Sequence, residues 1–100
     1  MATRKSDPEV RESILRQMLK EGGLYLVHAG EGIPSTRSDA GGKIVLAKNI
    51  AQLQEKLGLE SISSRRFRLA VGSLMYNPAR GMLLVRCRID GERHYKLLLK

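Results

Sequence analysis

Three arginines, Arg65, Arg66 and Arg68, follow directly on two serines, Ser63 and Ser64. Guanidinium forks, hydroxyls and the free N–H groups of a helix start all suit phosphate oxygens. The helix dipole disfavours cations in a first turn, so stability alone would place acids there. The arginines therefore point to an expected anion, set against the plainer reading of a solvated basic helix face. A second group flanks Asp90-Gly91, a dipeptide that favours a two-residue hairpin turn. That turn sets Arg88 opposite Arg93, Arg86 opposite Tyr95 and Leu84 opposite Leu97. Like charges directly opposed across a ladder are destabilising, so the Arg88–Arg93 pair makes more sense if a polyanion neutralises it. Otherwise the tip is simply solvated, with Asp90 and Glu92 screening it.

These groups belong to a wider asymmetry. Residues 61–100 hold nine basic residues against two acids, a net +7 of the chain's +8. A sequence pI near 10.2 suits nucleic acid, an anionic surface or an acidic protein partner.

Other residues with chemical potential do not assemble into a site. His28 and His94 are far apart and have no Cys, His or Asp cluster near them, so no metal is expected. Cys87, on a hairpin strand, reads as a small buried hydrophobe. Gly41-Gly42-Lys43 is only superficially similar to a phosphate loop, because the glycine spacing fails and Ile44 replaces the hydroxyl. Ser38 and Asp39 have no base or nucleophile to work with. The expectation is a protein that is not an enzyme and uses no cofactor.

The length of 100 residues fits one domain, with a core of Leu, Ile, Val and Met, since only four residues are aromatic. A single cysteine cannot form an internal disulfide and suits a reducing compartment. No apolar run approaches the roughly 18 residues of a membrane span, and the polar N-terminus does not read as a signal peptide. A cytoplasmic protein is expected.

The positioning elements read as follows. Residues 1–6 form a disordered basic tip, and residues 7–100 one domain. Asp7-Pro8-Glu9 is a helix start, and Val10, Ile14, Leu15, Met18 and Leu19 form its apolar stripe. Gly22-Gly23 ends it with positive φ. Residues 24–29 (LYLVHA) make a strand, and residues 30–43 (GEGIPSTRSDAGGK) a long loop. Residues 44–57 follow a helical pattern through Leu46, Ile50, Leu53 and Leu57, with Ile44-Val45-Leu46 open to a short strand instead. Gly58 ends that helix, and residues 60–64 form a turn. Ser63 or Ser64 caps a basic helix over residues 65–76, striped by Phe67, Ala70, Val71 and Leu74 and stopped by Asn77-Pro78. Residues 82–89 and 92–99 are the hairpin strands.

The order helix, strand, helix, helix, strand, strand resembles the winged helix-turn-helix family. The resemblance is carried by that order, by Leu57-Gly58-Leu59, by the Ser-capped basic helix and by the Asp-Gly hairpin. It implies an α+β fold of three helices with a small antiparallel sheet, and a function in binding double-stranded DNA as a small transcriptional regulator or a mobile-element replication or partition factor. It implies that the third helix enters the major groove, with Ser63, Ser64, Arg65, Arg66 and Arg68 meeting bases and phosphates. Arg86, Arg88, Arg93 and Tyr95 would then hold the adjacent groove from the wing, with Lys43 and Lys48 on the backbone near the start of the second helix. The turn at residues 60–64 is longer than the family's tight turn. A homodimer or a protein partner is open, and so is a different class: a basic inhibitor or adaptor that docks an acidic protein surface, or an RNA binder.

Overall fold

A computed structural model describes residues 7–25 and 42–99. The expected N-terminal tip, most of the expected loop over residues 30–43, the second half of the first expected strand, and His28, Ser38 and Asp39 lie outside the described residues. The elements are α1 (Pro8–Glu21), β1 (Gly23–Tyr25), β2 (Gly42–Leu46), α2 (Ile50–Lys56), α3 (Ser64–Tyr76), β3 (Met82–Ile89) and β4 (Glu92–Leu99). The fold is α+β, with an antiparallel sheet ordered β1-β2-β4-β3.

α1 begins where Asp7 caps it. The Glu9 amide donates to Asp7 Oδ1 at 2.9 Å, and Pro8 occupies the first helical position. Val10, Ile14, Leu15 and Met18 are buried along one stripe. The end of α1 corrects the expectation of a positive φ. Gly22 is extended at φ −70°. A side chain is excluded there because a Cβ would lie 2.6 Å from the Met18 carbonyl oxygen.

The larger correction concerns residues 44–57. The helix takes only Ile50–Lys56, and Ile44-Val45-Leu46 belongs to β2. The element order is therefore helix, strand, strand, helix, helix, strand, strand. Pairing decides the boundary: Val45 sits opposite Tyr95 and Leu46 opposite His94 in β4. Asn49 then caps α2, accepting from the Gln52 amide at 2.8 Å, while Gln52 Oε1 accepts from the Lys48 amide at 2.9 Å. These two bonds close the helix start reciprocally, in the manner of a capping box.

The long turn between α2 and α3 is tied by glutamines. Gln54 is buried, and its Nε2 donates to the carbonyls of Leu59 at 2.9 Å and Ile62 at 2.8 Å. Gln17 from α1 donates to the Leu57 carbonyl at 2.8 Å. Polar groups that would otherwise be orphaned at the end of α2 are thus satisfied. Ser63, not Ser64, caps α3, its hydroxyl accepting from the Arg66 amide at 3.2 Å.

The hairpin has the register expected from its turn: Leu84 opposite Leu97, Arg86 opposite Tyr95 and Arg88 opposite Arg93. Asp90 and Gly91 both hold positive φ, at 55° and 82°, the backbone of the turn type that matches strand twist. Val45, Leu84, Tyr95 and Leu97 share one sheet face and join the buried stripes of the three helices in a single core cluster. The next residues on that face toward the hairpin tip are Arg86, Arg88 and Arg93.

Candidate nucleic-acid interface

At the start of α3, Ser63, Ser64, Arg65, Arg66 and Arg68 are all exposed. They do not act alike. Arg66 Nη2 lies 2.5 Å from Asp7 Oδ2, an ion pair that ties the first turn of α3 to the cap of α1. The Arg66 hydrogen bond, with the Glu9 amide behind it, holds the Asp7 carboxyl below its ordinary value. One of the three arginines is thus answered within the protein. Among the described residues Arg65 and Arg68 are in no ion pair; the other pair joins Arg80 to Glu12.

The outward face of α3 runs from Arg65 through Arg68, Leu69 and Gly72 to Tyr76. Leu69 is 50% exposed and Tyr76 81% exposed. The sequence holds a signal for this face: Leu69 is the large aliphatic residue of the helix that falls off the Phe67–Ala70–Val71–Leu74 stripe.

At the hairpin, Arg86 and Arg88 are exposed and Arg93 is half-buried. Arg93 Nη1 donates to the Lys48 carbonyl at 3.2 Å, so the hairpin tip reaches the start of α2. Tyr95, expected at the interface, is 1% exposed and belongs to the core under the helices. Lys43 is also corrected. It sits in β2 opposite Leu97, three residues from Leu46, about 10 Å along the strand from the wing end. Lys48 is exposed and stands just ahead of the α2 cap, near the start of the second helix as the sequence places it.

Lys48 opens a groove of about 550 Å³ between α2 and the wing tip, lined by Leu46, Lys48, Gln52, Lys56, Arg88, Gly91, Glu92 and Arg93. Gln52 and Lys56 lie four residues apart on one face of α2, and Lys48 continues that spacing just ahead of the cap. That spacing is readable in the sequence, but its convergence with the wing is not. Four cations face one acid, and among the described residues none of them is in an ion pair. Low-dielectric walls and an excess of positive charge focus the field in such a cleft.

Cys87 is half-buried, and burial pushes its thiol above the ordinary 9.0, which works against nucleophilic use. His94 Nδ1 is 2.9 Å from the Glu92 carbonyl oxygen, a local contact on the hairpin. Among the described residues no group of His, Cys, Asp and Glu could hold a metal ion, and no helix is long and apolar enough to cross a membrane.

Comparison with known proteins finds no family model, no curated protein and no solved structure that matches this chain.

Proposed function

We propose that this protein binds double-stranded DNA as a winged-helix domain, in a regulatory role or at a replication or partition site. The observation that carries the reading is the opposed pair Arg88–Arg93 at the hairpin tip, held in register by Asp90-Gly91 and without a carboxylate partner among the described residues. Two like charges kept directly opposite make sense where phosphate answers them. The β2-β4-β3 part of the sheet, with its hairpin following a basic helix, supports the wing assignment. Arg65 and Arg68, beside Leu69 on the open face of α3, suit phosphate, guanine edges and thymine methyl groups. No metal, cofactor or catalytic group enters this reading, and a cytoplasmic location is part of it.

One observation favours a protein partner instead. Leu69 and Tyr76 give α3 an exposed apolar strip beside Arg65 and Arg68, which fits an acidic protein surface. A binding assay with random duplex, structured RNA and competitor at two salt concentrations separates the readings. Duplex binding that weakens steeply with salt is expected. Absence of duplex binding at low salt would overturn the proposal.

A further inference from the structure

The basic groove between α2 and the wing tip differs in shape from the exposed face of α3. It is concave, and its cations are spread along it rather than gathered at a point. Lys56 is the last residue of α2 and Lys48 precedes its cap residue Asn49, so the two lie at opposite ends of a seven-residue helix about 10 Å long. Arg88 and Arg93 supply the opposite wall from the hairpin tip. Gln52, Gly91, the acid Glu92 and Leu46, which is 40% exposed, complete the lining. Arg93 and Gln52 are already held in place, Arg93 by the Lys48 carbonyl and Gln52 by the Lys48 amide, so part of the ordering cost of binding is met before a ligand arrives.

A compact anion such as one phosphate would engage only one end of this row. A polyanion strand would engage its whole length, since it carries one charge per nucleotide. A duplex presents its phosphates on a convex surface, whereas a volume of about 550 Å³ accepts one strand. Gln52 offers an amide to a base or sugar, Leu46 an apolar patch, and the two guanidinium planes a stacking surface. The geometry points to a track for a single strand of nucleic acid, holding two or three consecutive phosphates and continuous with the duplex-binding surface through Arg88 and Arg93. The ligand class is thus a partly opened DNA, or a duplex with a single-stranded end. This inference rests on the nucleic-acid reading above and adds a second substrate form to it.

The test uses the full chain with four probes: a labelled six-residue oligothymidylate, a blunt random duplex, the same duplex with a six-residue single-stranded end, and a nucleoside triphosphate as a free polyphosphate. Two variants are compared with the parent, Lys56→Gln and Lys56→Glu, with backbone amide spectra recorded to confirm folding. The tailed duplex should bind several-fold more tightly than the blunt one. Lys56→Glu should remove most of that advantage while lowering blunt-duplex affinity much less. The oligothymidylate should shift the amides of Lys48, Gln52, Lys56 and Gly91, with a salt slope near 2, about 0.7 per phosphate. Equal affinity for tailed and blunt duplex, in a protein that does bind duplex, would overturn the single-strand track and leave the function standing. Shifts of the same amides by the triphosphate at equal affinity would make the groove a compact polyphosphate site and also overturn it. Absence of binding to all nucleic-acid probes would remove both.

Discussion

Arg88 and Arg93 are opposed across the hairpin, yet they should respond differently to neutralisation. Two unit charges at a representative separation of about 7 Å in water repel by about 0.6 kcal/mol, and salt near 0.15 M reduces this by more than half. Among the described residues Arg88 has no hydrogen bond that would offset the repulsion. Arg88→Gln should therefore stabilise by about 0.1–0.3 kcal/mol, a rise in Tm of up to about 2 °C for a domain of this size. Arg93 also donates to the Lys48 carbonyl at 3.2 Å. Such a bond contributes about 0.5–1.5 kcal/mol net, and the low end applies because the site is open to water. Arg93→Gln should thus be neutral or destabilising by up to about 0.5 kcal/mol, and the double variant should fall close to the parent. Both single variants should weaken duplex binding about equally across sequences, each making the salt slope shallower by about one unit. Thermal unfolding and anisotropy titrations at four salt concentrations read both quantities. A fall of several degrees for Arg88→Gln, or an unchanged salt slope in both variants, would refute the argument that the pair is kept for phosphate.

The arginines of α3 should divide in the same assay. Arg65→Ala with Arg68→Ala should cost more duplex affinity than Arg66→Ala, at roughly 1–3 kcal/mol for each arginine–base pairing removed, because Arg66 already serves Asp7; equal effects at all three sites would contradict this. Asp7 should titrate below the ordinary 3.8. The stability it contributes is present above that value and is lost as pH falls through the lower folded-state value. Arg66→Gln should move the midpoint, followed by carboxyl NMR, back up toward 3.8. Gln54→Leu should destabilise by about 1–3 kcal/mol, since two carbonyls of the α2–α3 turn lose their donor in a buried site; denaturant unfolding within about 0.5 kcal/mol of the parent would show that water replaces the amide without penalty.

What can be read from the chain follows the range of the forces involved. α1, α3 and the hairpin register are legible because caps, stripes and the Asp-Gly turn act over a few residues. The start of α2 is not, because Leu46 extends the i, i+4, i+7 pattern of Ile50, Leu53 and Leu57. The competing preference of Ile44-Val45 for a strand is decided by β4, some fifty residues away. Gln54 gives no local sign of its role, since its two acceptors are satisfied only once the turn folds back over it. The Asp7–Arg66 pair spans 59 residues, and each partner has a sufficient local reading without the other, Asp7 as a helix cap and Arg66 as one of a basic cluster.

Tyr95 shows where the site itself escapes the sequence. Alternation correctly places Tyr95 on one sheet face with Arg93 and Arg86. It cannot say where along that face the helices stop. The structure puts that edge within two residues of β4: Tyr95 lies under the helices, while Arg93 already contacts the outer end of α2. A hydrophobic face that changes to arginine at the limit of its cover has a simple physical logic. The buried half fixes the direction of the strands. The same strands carry the charged half beyond the helices, where the field of Arg88 and Arg93 meets that of Lys48 and Lys56. The groove is therefore a product of strand length against helix cover, a quantity that appears only when the sheet and α2 are packed together. Shortening the hairpin on both sides of the Asp90-Gly91 turn so that Arg88 and Arg93 are removed should change the core little, since neither belongs to the buried cluster. Such a protein should fold, keep the α3 face and lose the groove. Its residual duplex affinity would then measure how much of binding resides in α3 alone.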